Sequence, residues 1–351
     1  MTRNGRDLIE IDGSYGEGGG QILRTALSLS TILNKPLMVC RIRAGGKKPG
    51  LQPQHLKAAE SLVRMTGGRL TGATIGSETI TFVPQELVPG DYRIEVGTAG
   101  SVTLLLQALL PPMCLAKGSS RIILTGGTHV PWSPPFHYLQ RILFPVLEKM
   151  GLNVKASLRK WGWYPKGGGV MEVEVHPVSE IKPTALMERG PVKRIRGLSA
   201  SSNLPTHISE RQKEEAVKRI RTELNLEAEI EIESGAPAIG AGSFVFLTAE
   251  ADQGRGGFSS LGKRGKRAEE VAADAVDELS DYLLSDACLD PHLSDQVVLF
   301  MGLAKGVSSF TTSRITEHLL TNLWVMTQFL DVRFTLTGEL GRRGSVEISR
   351  D

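Results

Sequence analysis

The chain has 351 residues, with 41 lysines and arginines against 38 aspartates and glutamates, so its formal net charge is only +3. This length allows a large core and predicts two domains, while the near balance of charge does not by itself indicate nucleic-acid binding. No apolar run has the length of a membrane span and no secretory signal is recognisable, which excludes a membrane-spanning helix. The three widely spaced cysteines, Cys40, Cys114 and Cys288, favour a reducing cytoplasm and no thiolate metal site.

The first distinctive stretch is Asp-Gly-Ser-Tyr-Gly-Glu-Gly-Gly-Gly-Gln-Ile-Leu-Arg at residues 12–24. It follows an apolar run that predicts a strand, residues 8–11, and leads into apolar residues with helical spacing, residues 22–33. Free N–H groups at a helix start, in a turn without Cβ atoms, suit a bound phosphate. Glu17 fits such a site mainly through a divalent cation, and Arg24 could bind phosphate oxygens. The alternative is a tight strand-to-helix connection with both charges in water.

The strand, glycine turn and helix recur at residues 92–116, and a third copy lies in the C-terminal part of the chain. A second helix and a two-strand hairpin complete each copy, which predicts three αβαββ-type units, each with two helices on a small sheet. The predicted fold class is therefore α/β (α+β), with the three units forming one large domain of residues 1–185 and 286–351. The predicted helices are residues 20–34, 53–66, 101–116, 135–150, 295–304 and 316–329, and the hairpins are residues 69–83, 153–175 and 332–348.

Residues 186–285 break this period and predict a smaller inserted α/β domain. Its predicted strands are residues 192–198, 228–234 and 243–250, and its predicted helices are residues 209–224 and 267–284. The glycine-rich residues 254–265 are interpreted as a loop. The basic side chains near its end fit either a solvated loop or a contact for a phosphodiester backbone. These side chains are Lys263, Arg264, Lys266 and Arg267.

A basic stretch at residues 41–55 is the next candidate for binding an anion. Alternation along a predicted strand, residues 37–43, would place Arg41 and Arg43 on one face. Two lysines, Lys47 and Lys48, follow in a Gly/Pro loop that leads to a helix start. The stretch fits a grip for a polyanion, and the alternative is an exposed basic edge strand.

Two further stretches carry aromatic side chains that could contact a ligand or serve only for packing. Residues 126–135 form a proline-rich loop at a helix entrance, and Trp132 within it could stack on a base. A single loop tryptophan is more commonly a packing anchor, so both interpretations stay open. The aromatic residues of the turn at 161–169 are expected to cover a sheet edge.

The segment Thr-Glu-His-Leu-Leu-Thr-Asn at residues 316–322 contains a candidate nucleophile. Thr316 is a suitable helix N-cap, which would place His318 in the first helical turn. The helix dipole at that end lowers imidazole basicity, so we expect a neutral, nucleophilic His318 beside a favourable position for phosphate. The alternative is a surface histidine without a role.

Taken together, these stretches resemble the RNA 3'-terminal phosphate cyclases, and the resemblance extends over residues 8 to 350. The matching motifs lie in the segments that follow the predicted strands or open the predicted helices. They are residues 12–24, Arg-Ile-Arg-Ala-Gly at 41–45, Lys-Pro-Gly-Leu at 48–51, Gln-His at 54–55, Gly-Thr-Ala-Gly-Ser at 97–101 through Gln107, Ser-Asp-Gln at 294–296 and His-Leu-Leu-Thr-Asn at 318–322.

The resemblance implies that a histidine attacks the α-phosphorus of ATP, with Mg²⁺ or Mn²⁺ present, and becomes covalently linked to AMP. The AMP then moves to an RNA 3'-phosphate, and the neighbouring 2'-OH displaces it to give a 2',3'-cyclic phosphate. The implied nucleophile is His318, and the implied metal-associated residue is Glu17. The implied ATP- and phosphate-binding residues are Glu17, Arg24, Arg43, Gln54, His55, Gln107, Pro134, Phe258, Asp295 and Gln296.

Three positions depart from the family pattern. Gly46 stands where family members often have arginine, and we expect Lys47 to replace that charge in part. His129 stands where several members have aspartate, and His292 stands in place of a tyrosine. The implied partners are ATP and RNA with a 3'-phosphate end, without a membrane, and homo-oligomer formation is left open.

Three alternatives remain at this stage. One is a non-catalytic, cyclase-like protein of ribosome assembly, against which the presence of His318, Glu17 and Arg24 argues. The second is an enolpyruvyl transferase, whose fold usually has six such repeats rather than three. The third is an RNA-binding module without catalysis.

Overall fold

Three sheets with the same strand order form the framework of the computed structural model, which describes residues 7–46 and 48–351. Each of these sheets is built by a βαβαββ unit. The first two strands of a unit are parallel and are joined by a helix, because parallel neighbours need a crossover connection. The last two strands form an antiparallel hairpin that adds to the second strand. The mixed α/β class expected from the sequence is confirmed.

The first unit has the strand order β1-β2-β4-β3. Its second helix begins with proline at its first position. It ends before Gly67, whose φ of +67° is the left-handed conformation that commonly terminates a helix. These signals explain why its bounds agree with the sequence prediction. The elements are β1 (Ile9–Asp12), α1 (Gly20–Leu33), β2 (Leu37–Cys40), α2 (Pro53–Thr66), β3 (Arg69–Thr71) and β4 (Ile80–Val83).

The second unit repeats this order with one irregularity in its second helix. Pro145 has no N–H to donate to the carbonyl of Arg141, four residues earlier, and the helix contains a π turn there. The guanidinium of Arg255 donates to that carbonyl at 2.7 Å. The elements are β5 (Asp91–Glu95), α3 (Val102–Cys114), β6 (Ser120–Gly126), α4 (Phe136–Tyr138), the π turn (Leu139–Leu143), α5 (Phe144–Lys149), β7 (Asn153–Lys160) and β8 (Gly169–His176).

The third unit begins with β9 (Ala185–Leu186), after which the chain leaves it to form the insert. The insert has a four-stranded sheet of its own, in the order β11-β10-β12-β13. The expectation that residues 254–265 form only a loop is wrong, because β13 runs through them. Its elements are β10 (Val192–Ser202), α6 (His207–Leu224), β11 (Ala228–Ser234), β12 (Gly242–Ala251), β13 (Arg255–Leu261) and α7 (Ala268–Ser285).

After the insert, the chain completes the third unit, whose sheet has the order β9-β14-β16-β15. β9 pairs parallel with β14, as β1 does with β2 in the first unit. The insert therefore interrupts the third repeat between its first strand and its first helix. The remaining elements are α8 (Pro291–Leu303), β14 (Gly306–Thr312), α9 (Glu317–Phe329), β15 (Arg333–Gly338) and β16 (Gly344–Arg350).

The insert sheet buries both of its faces. One face packs on α6 and α7 in a separate apolar cluster, whereas Phe244 and Phe246 of β12 belong to the core of the three-repeat body. The ring of Phe244 meets Trp161 edge-on, with centroids 5.5 Å apart. The insert is therefore attached to the body by packed aromatic side chains as well as by its two chain connections.

A buried carboxylate also joins the insert to the body. Asp290 caps the start of α8 by accepting from the N–H groups of His292 and Leu293. It accepts further hydrogen bonds from the hydroxyl of Tyr138 and the N–H of Gly257 in β13. Burial raises the pKa of Asp290 from its ordinary value.

None of the helices formed by the described residues is both long and apolar enough to cross a bilayer.

The division of the chain into a body and an insert predicts that the body folds without residues 187–285. The deletion starts after Leu186 because that residue pairs with Phe310 in the third sheet. We expect a body with native-like circular dichroism but a lower Tm and a tendency to aggregate, since Trp161 and Trp163 lose their apolar cover. A body that shows the circular dichroism of an unfolded chain would contradict the proposed boundary.

Candidate active site

A cleft of about 450 Å³ lies where the ends of several helices meet the loop that precedes α4. Helices from all three repeats contribute to its wall, and the insert closes one side through β13 and α7. Most of the polar side chains implied by the resemblance face this cleft. The sequence-predicted residues that line it are Arg24, Gln107, Pro134, Asp295, Gln296 and His318.

The start of α9 presents His318 to the cleft, as the sequence predicts. The hydroxyl of Thr316 accepts from the N–H of Leu319 at 3.0 Å, which is the expected N-cap. The same hydroxyl donates to the carboxylate of Asp295. Burial raises the pKa of Asp295 to about 6. The cap therefore holds the histidine-bearing turn against α8.

The side chain of Glu17 contacts the candidate nucleophile. Its Oε1 atom lies 2.7 Å from Nδ1 of His318, and both side chains are partly exposed. This carboxylate raises the pKa of His318 above its ordinary value, against the opposing effects of burial and of Arg24. The expectation that the helix start lowers the basicity of His318 is therefore wrong for the protein without ligand. Because Glu17 lies at Nδ1, Nε2 is the nitrogen left for chemistry.

The glycine-rich turn brings the start of α1 close to two basic side chains. A Cβ atom at Gly20 would overlap Nε2 of His55 and lie 3.1 Å from Nη1 of Arg24. Gly16 and Gly18 have φ values of +57° and +60°, which glycine adopts without strain. Gly19 provides no side-chain cap, so the first N–H groups of α1 keep their capacity to bind an anion.

Arg24 is a buried cation, and one of its N–H donors has no partner among the described residues. Burial lowers its pKa to about 10, so it keeps its charge at neutral pH. Its Nη2 donates to Gln21 at 2.7 Å, whereas Nε has no hydrogen-bond partner among the described residues. A buried guanidinium with a free donor is costly unless an anion pairs with it.

The basic stretch after β2 differs from the prediction. The strand ends at Cys40, and Arg41 and Arg43 lie in a turn with φ values of +51° and +54°, so they do not share a strand face. Arg41 pairs with Asp12, and Nη1 of Arg43 donates to the carbonyl of Lys48 at 2.5 Å. The prediction for Lys47 concerns a position outside the described residues.

Arg43 nonetheless approaches the glycine turn through His55. Burial, followed by the charges of Arg24 and Arg43, lowers the pKa of His55 to about 3. Its Nδ1 accepts from the N–H of Gln52 at 3.3 Å in the capping box of α2. A neutral imidazole at the start of α1 is therefore within electrostatic range of both guanidinium groups.

The neighbouring Gln54 has a different position from the one expected. Its Oε1 accepts from the N–H of Ser101 at 3.2 Å, where α3 begins. The Ser101 hydroxyl in turn caps α3 by accepting from the N–H of Leu104. Gln54 therefore supports the wall of the cleft from behind and is absent from its lining.

Two glutamines of the cleft carry unpaired acceptors. Oε1 of Gln107 and Oε1 of Gln296 are buried and have no hydrogen-bond partner among the described residues. Gln296 is oriented by its Nε2, which donates to the carbonyl of His292 at 3.0 Å. Each of these acceptors could therefore receive a hydrogen bond from a bound molecule.

Phe258 is not brought into the cleft. Its side chain is 3% exposed and packs in the apolar cluster of the insert, with its ring 5.4 Å from that of Tyr282. Side chains alternate along a strand, so its neighbours Gly257 and Ser259 line the cleft instead. The prediction that Phe258 contacts the nucleotide has no support in this arrangement.

The proline-rich loop that precedes α4 forms the rim of the cleft. The carbonyl of Pro134 accepts from the hydroxyl of Thr103 at 2.7 Å, which fixes the loop on α3. Trp132 is 97% exposed and has a φ of +59°. The interpretation of Trp132 as a packing anchor is therefore wrong.

Two of the family departures have a structural account. His129 is buried away from the cleft, where its Nε2 lies 3.0 Å from Nδ1 of His137 and its ring stacks on Trp161. Burial lowers the pKa of His129 and that of His137, to about 3 for the latter. His292 lines the cleft, with its ring edge-on to Tyr138. His129 is thus part of the body–insert packing.

Several residues of the site were not singled out from the sequence. Asn322 accepts from Gln21 at 3.1 Å and from Thr25 at 2.7 Å, and donates to the carbonyl of Asp295 at 2.7 Å, so it aligns α1, α8 and α9. Its place in the motif that contains His318 was the available signal. Glu278 of α7 also lines the cleft, and no sequence pattern distinguishes it from the other charges of that helix.

The donor set does not form a metal site by itself. Within residues 7–46 and 48–351, no three His, Cys, Asp or Glu side chains are placed to hold a metal ion together. Mg²⁺ is commonly bound by one or two carboxylates together with substrate phosphates. A single partly exposed carboxylate, Glu17, beside a phosphate-type turn fits that mode.

Comparison with known proteins identifies the family of the chain. The family model described as RNA 3'-terminal phosphate cyclase matches residues 15–336. A Thermococcus gammatolerans protein of that name is 44% identical over 98% of each chain, and one from Pyrococcus furiosus is 42% identical over 98% of this chain and 99% of its own. The enolpyruvyl transferase NikO from Streptomyces tendae reaches a TM-score of only 0.39 at 10% identity, over 97% of this chain and 49% of its own. The chain belongs to the RNA 3'-terminal phosphate cyclase family.

Proposed function

We propose that the chain converts an RNA 3'-terminal phosphate into a 2',3'-cyclic phosphate, using ATP and a covalent AMP–histidine intermediate on His318. The observation that carries this proposal is the placement of His318 at a capped helix start, with Nδ1 against Glu17 and the ring facing a cleft of unpaired polar groups. Family membership supports the reaction class.

In the first step, Nε2 of His318 attacks the α-phosphorus of ATP, and the bond from that phosphorus to the bridging oxygen breaks. Pyrophosphate leaves, and the new bond is P–N. The carboxylate of Glu17 at Nδ1 orients the ring and stabilises the positive charge that the imidazole gains.

The next two steps return the histidine and close the ring. An oxygen of the RNA 3'-phosphate attacks the α-phosphorus, the P–N bond breaks, and AMP is joined to the RNA end. The ribose 2'-OH then attacks the terminal phosphorus, loses its proton and displaces AMP. Positioning and charge neutralisation are the main demands of such transfers.

The cations around the glycine turn are suited to the phosphates. Among the described residues Nε of Arg24 has no partner, α1 begins without a side-chain cap, and the charges of Arg24 and Arg43 both act on His55. Helix N-termini and guanidinium groups both bind phosphate oxygens. We propose that these groups hold the triphosphate while His318 reacts.

Other residues of the cleft are suited to the nucleoside. Gln107 and Gln296 each present a buried, unpaired acceptor, and an adenine amino group is a donor that would satisfy such an atom. Asp295 and the rigid Pro134 also line the cleft. We propose that Gln54 acts from behind its wall, by holding Ser101 at the start of α3.

Glu17 is the residue that would hold Mg²⁺ or Mn²⁺ together with the phosphates. The metal, when bound, would neutralise charge on the reacting phosphate and on the leaving pyrophosphate. The chain's own contribution is one carboxylate, placed within contact distance of the nucleophile.

The alternatives to this function have less support. A non-catalytic cyclase-like protein would have no need of a buried Arg24 with a free donor or of the contact between Glu17 and His318. A plain RNA-binding module leaves the same groups unexplained. Incubation with labelled ATP and magnesium separates these functions, because only the cyclase retains the label covalently.

The first test concerns the nucleophile. We expect His318→Ala and His318→Asn to fold and bind ATP but to retain no label, because an amide keeps hydrogen bonding and cannot attack phosphorus. His55→Ala is the matched control and should slow labelling without abolishing it. The P–N bond should be lost in acid and survive mild alkali. Peptide mapping that places the label on any residue other than His318 would falsify the assignment.

The second test concerns the carboxylate at the turn. We expect Glu17→Gln to lose most magnesium-dependent adenylation, at least about tenfold, because charge is removed while volume is kept. Its free energy of unfolding should change by less than about 1 kcal/mol, since the contact is partly exposed. A magnesium titration of the labelling rate, together with a thermal melt, measures both. An active Glu17→Gln protein would show that the carboxylate is only a solvated loop residue.

The third test follows His318 through its pKa. Because Glu17 raises this pKa, Glu17→Gln should lower it, so that the imidazole of the variant becomes neutral at a lower pH than in the wild type. The stabilising contact is present at low pH and is lost as pH rises through the folded pKa. Histidine NMR titration of the protein without metal or nucleotide measures the shift.

Glu317→Gln is the matched control for this titration, since Glu317 lies beside His318 in the first turn of α9. We expect its effect on the pKa of His318 to be smaller than that of Glu17→Gln. Equal effects from the two variants would mean that helix-start electrostatics, rather than the contact with Glu17, set the pKa of His318.

A further inference from the structure

A second cavity, a groove of about 750 Å³, lies beside the cleft between the insert and the second repeat. We call it the basic groove. The insert contributes α6, the start of α7 and the turn between β13 and α7, and the body contributes the loops around residues 131 and 164. The lining residues used below are Pro131, Tyr164, Arg211, Lys263, Arg264 and Lys266.

The described lining of this groove is cationic and contains no acidic side chain. Some of its charge is compensated, because Arg211 binds Glu269 at 2.8 and 2.9 Å and Lys266 pairs with Asp274. Lys263 and Arg264 are exposed and have no carboxylate partner among the described residues. Two uncompensated cations therefore stand in a row of basic side chains, which favours a polyanion over an apolar or acidic partner.

Exposed aromatic rings accompany these charges. Tyr164 is 67% exposed on the body side of the groove. Trp132 is 97% exposed on the rim of the cleft, and its neighbour Pro131 lines the basic groove. The loop that carries Trp132 is therefore the partition between the two cavities.

The loop is built to hold the indole outward. Trp132 has a φ of +59°, a conformation that costs free energy for a residue with a Cβ atom. The carbonyl of Pro134 is bound by Thr103, and the hydroxyl of Ser133 donates to the carbonyl of Val130 at 3.0 Å. A rigid loop that holds an exposed indole at a positive φ motivates a binding role for that ring.

We propose that the basic groove holds the RNA strand leading to the 3' end and that Trp132 stacks on a base where the strand crosses into the cleft. This inference rests on the proposed function for the identity of the substrate. A row of cations with aromatic faces is the usual recognition of single-stranded nucleic acid without sequence preference. In this arrangement the backbone lies along Lys263 and Arg264, and the terminal phosphate is directed toward His318.

The test measures binding of a fluorescent RNA oligonucleotide with a 3'-OH end in the absence of ATP. Such an RNA cannot be activated, so binding is observed independently of catalysis. We expect the double variant Lys263→Glu/Arg264→Glu to bind at least tenfold more weakly. The slope of log affinity against log salt should fall by about 1.4 if two phosphate contacts are lost.

The matched control is Lys155→Glu/Lys305→Glu, which makes the same change in net charge at exposed positions that line neither cavity. We expect it to retain wild-type affinity within about twofold. Wild-type affinity in the Lys263/Arg264 variant would overturn the proposal. An equal loss in both double variants would also overturn it, because the effect would then be one of net charge.

The stacking contact has its own variants. We expect Trp132→Ala to weaken binding roughly 5- to 150-fold, the range for loss of one base–aromatic stack, and Trp132→Phe to restore most of it. RNA should quench the fluorescence of the wild type, since Trp161 and Trp163 are buried and Trp132 is exposed. Unchanged affinity in Trp132→Ala would overturn the stacking contact.

The two proposals fail separately. A wild-type protein that binds this RNA through the groove but takes no label from ATP would overturn the proposed function and leave the groove in place. A protein that is labelled by ATP but binds RNA equally well in all groove variants would overturn the groove alone.

Discussion

The contact between Glu17 and His318 is the interaction on which the site depends, because it joins the first repeat to the third. The two residues are about three hundred positions apart in the chain; Glu17 lies in the turn before α1, and His318 lies in the first turn of α9. Hydrogen bonds between α1 and α9 hold the two helices in register, because Asn322 of α9 accepts from Gln21 and Thr25 of α1. A shift of α9 along α1 would break these hydrogen bonds and the contact between Glu17 and His318 together. The packing of the repeats therefore also sets the position of His318.

The insert completes this site from a distance through buried polar groups. Asp290 caps α8, which carries Asp295, and it also binds the backbone of β13 and the hydroxyl of Tyr138. Gly257 is needed there, because a Cβ atom would overlap Ile142 and approach Tyr138 closely. Since removal of one partner would leave buried polar groups unpaired, the insert and the wall of the cleft are held as one arrangement. The insert also forms one side of the basic groove, so it contributes to the walls of both cavities.

Local signals allowed most of the framework to be predicted, whereas long-range contacts accounted for the errors. The bounds of α2 followed from a proline at its start and Gly67 at its end. β13 was missed because its glycines indicate a loop locally, although close packing on Tyr138 requires them. The strand expected through Arg43 ended early at two positive-φ residues.

The pKa of His318 was predicted in the wrong direction. The helix start was visible in the sequence, whereas the approach of a carboxylate from a distant part of the chain was not. The resemblance implied that Phe258 contacts the nucleotide. Because side chains alternate along β13, Phe258 instead points into the core of the insert.

The first helices of the three repeats differ in whether a side chain caps their start. The first helix of each repeat follows the first strand, and in the second and third repeats its start is capped by a side chain, Ser101 on α3 and Asp290 on α8. A cap satisfies the N–H groups that would otherwise bind an anion. In the first repeat the cap position is Gly19, where an added Cβ atom would overlap the carboxylate of Glu17. The residue that contacts His318 thus occupies the space of a capping side chain. The contact with His318 and the uncapped start of α1 therefore involve the same carboxylate.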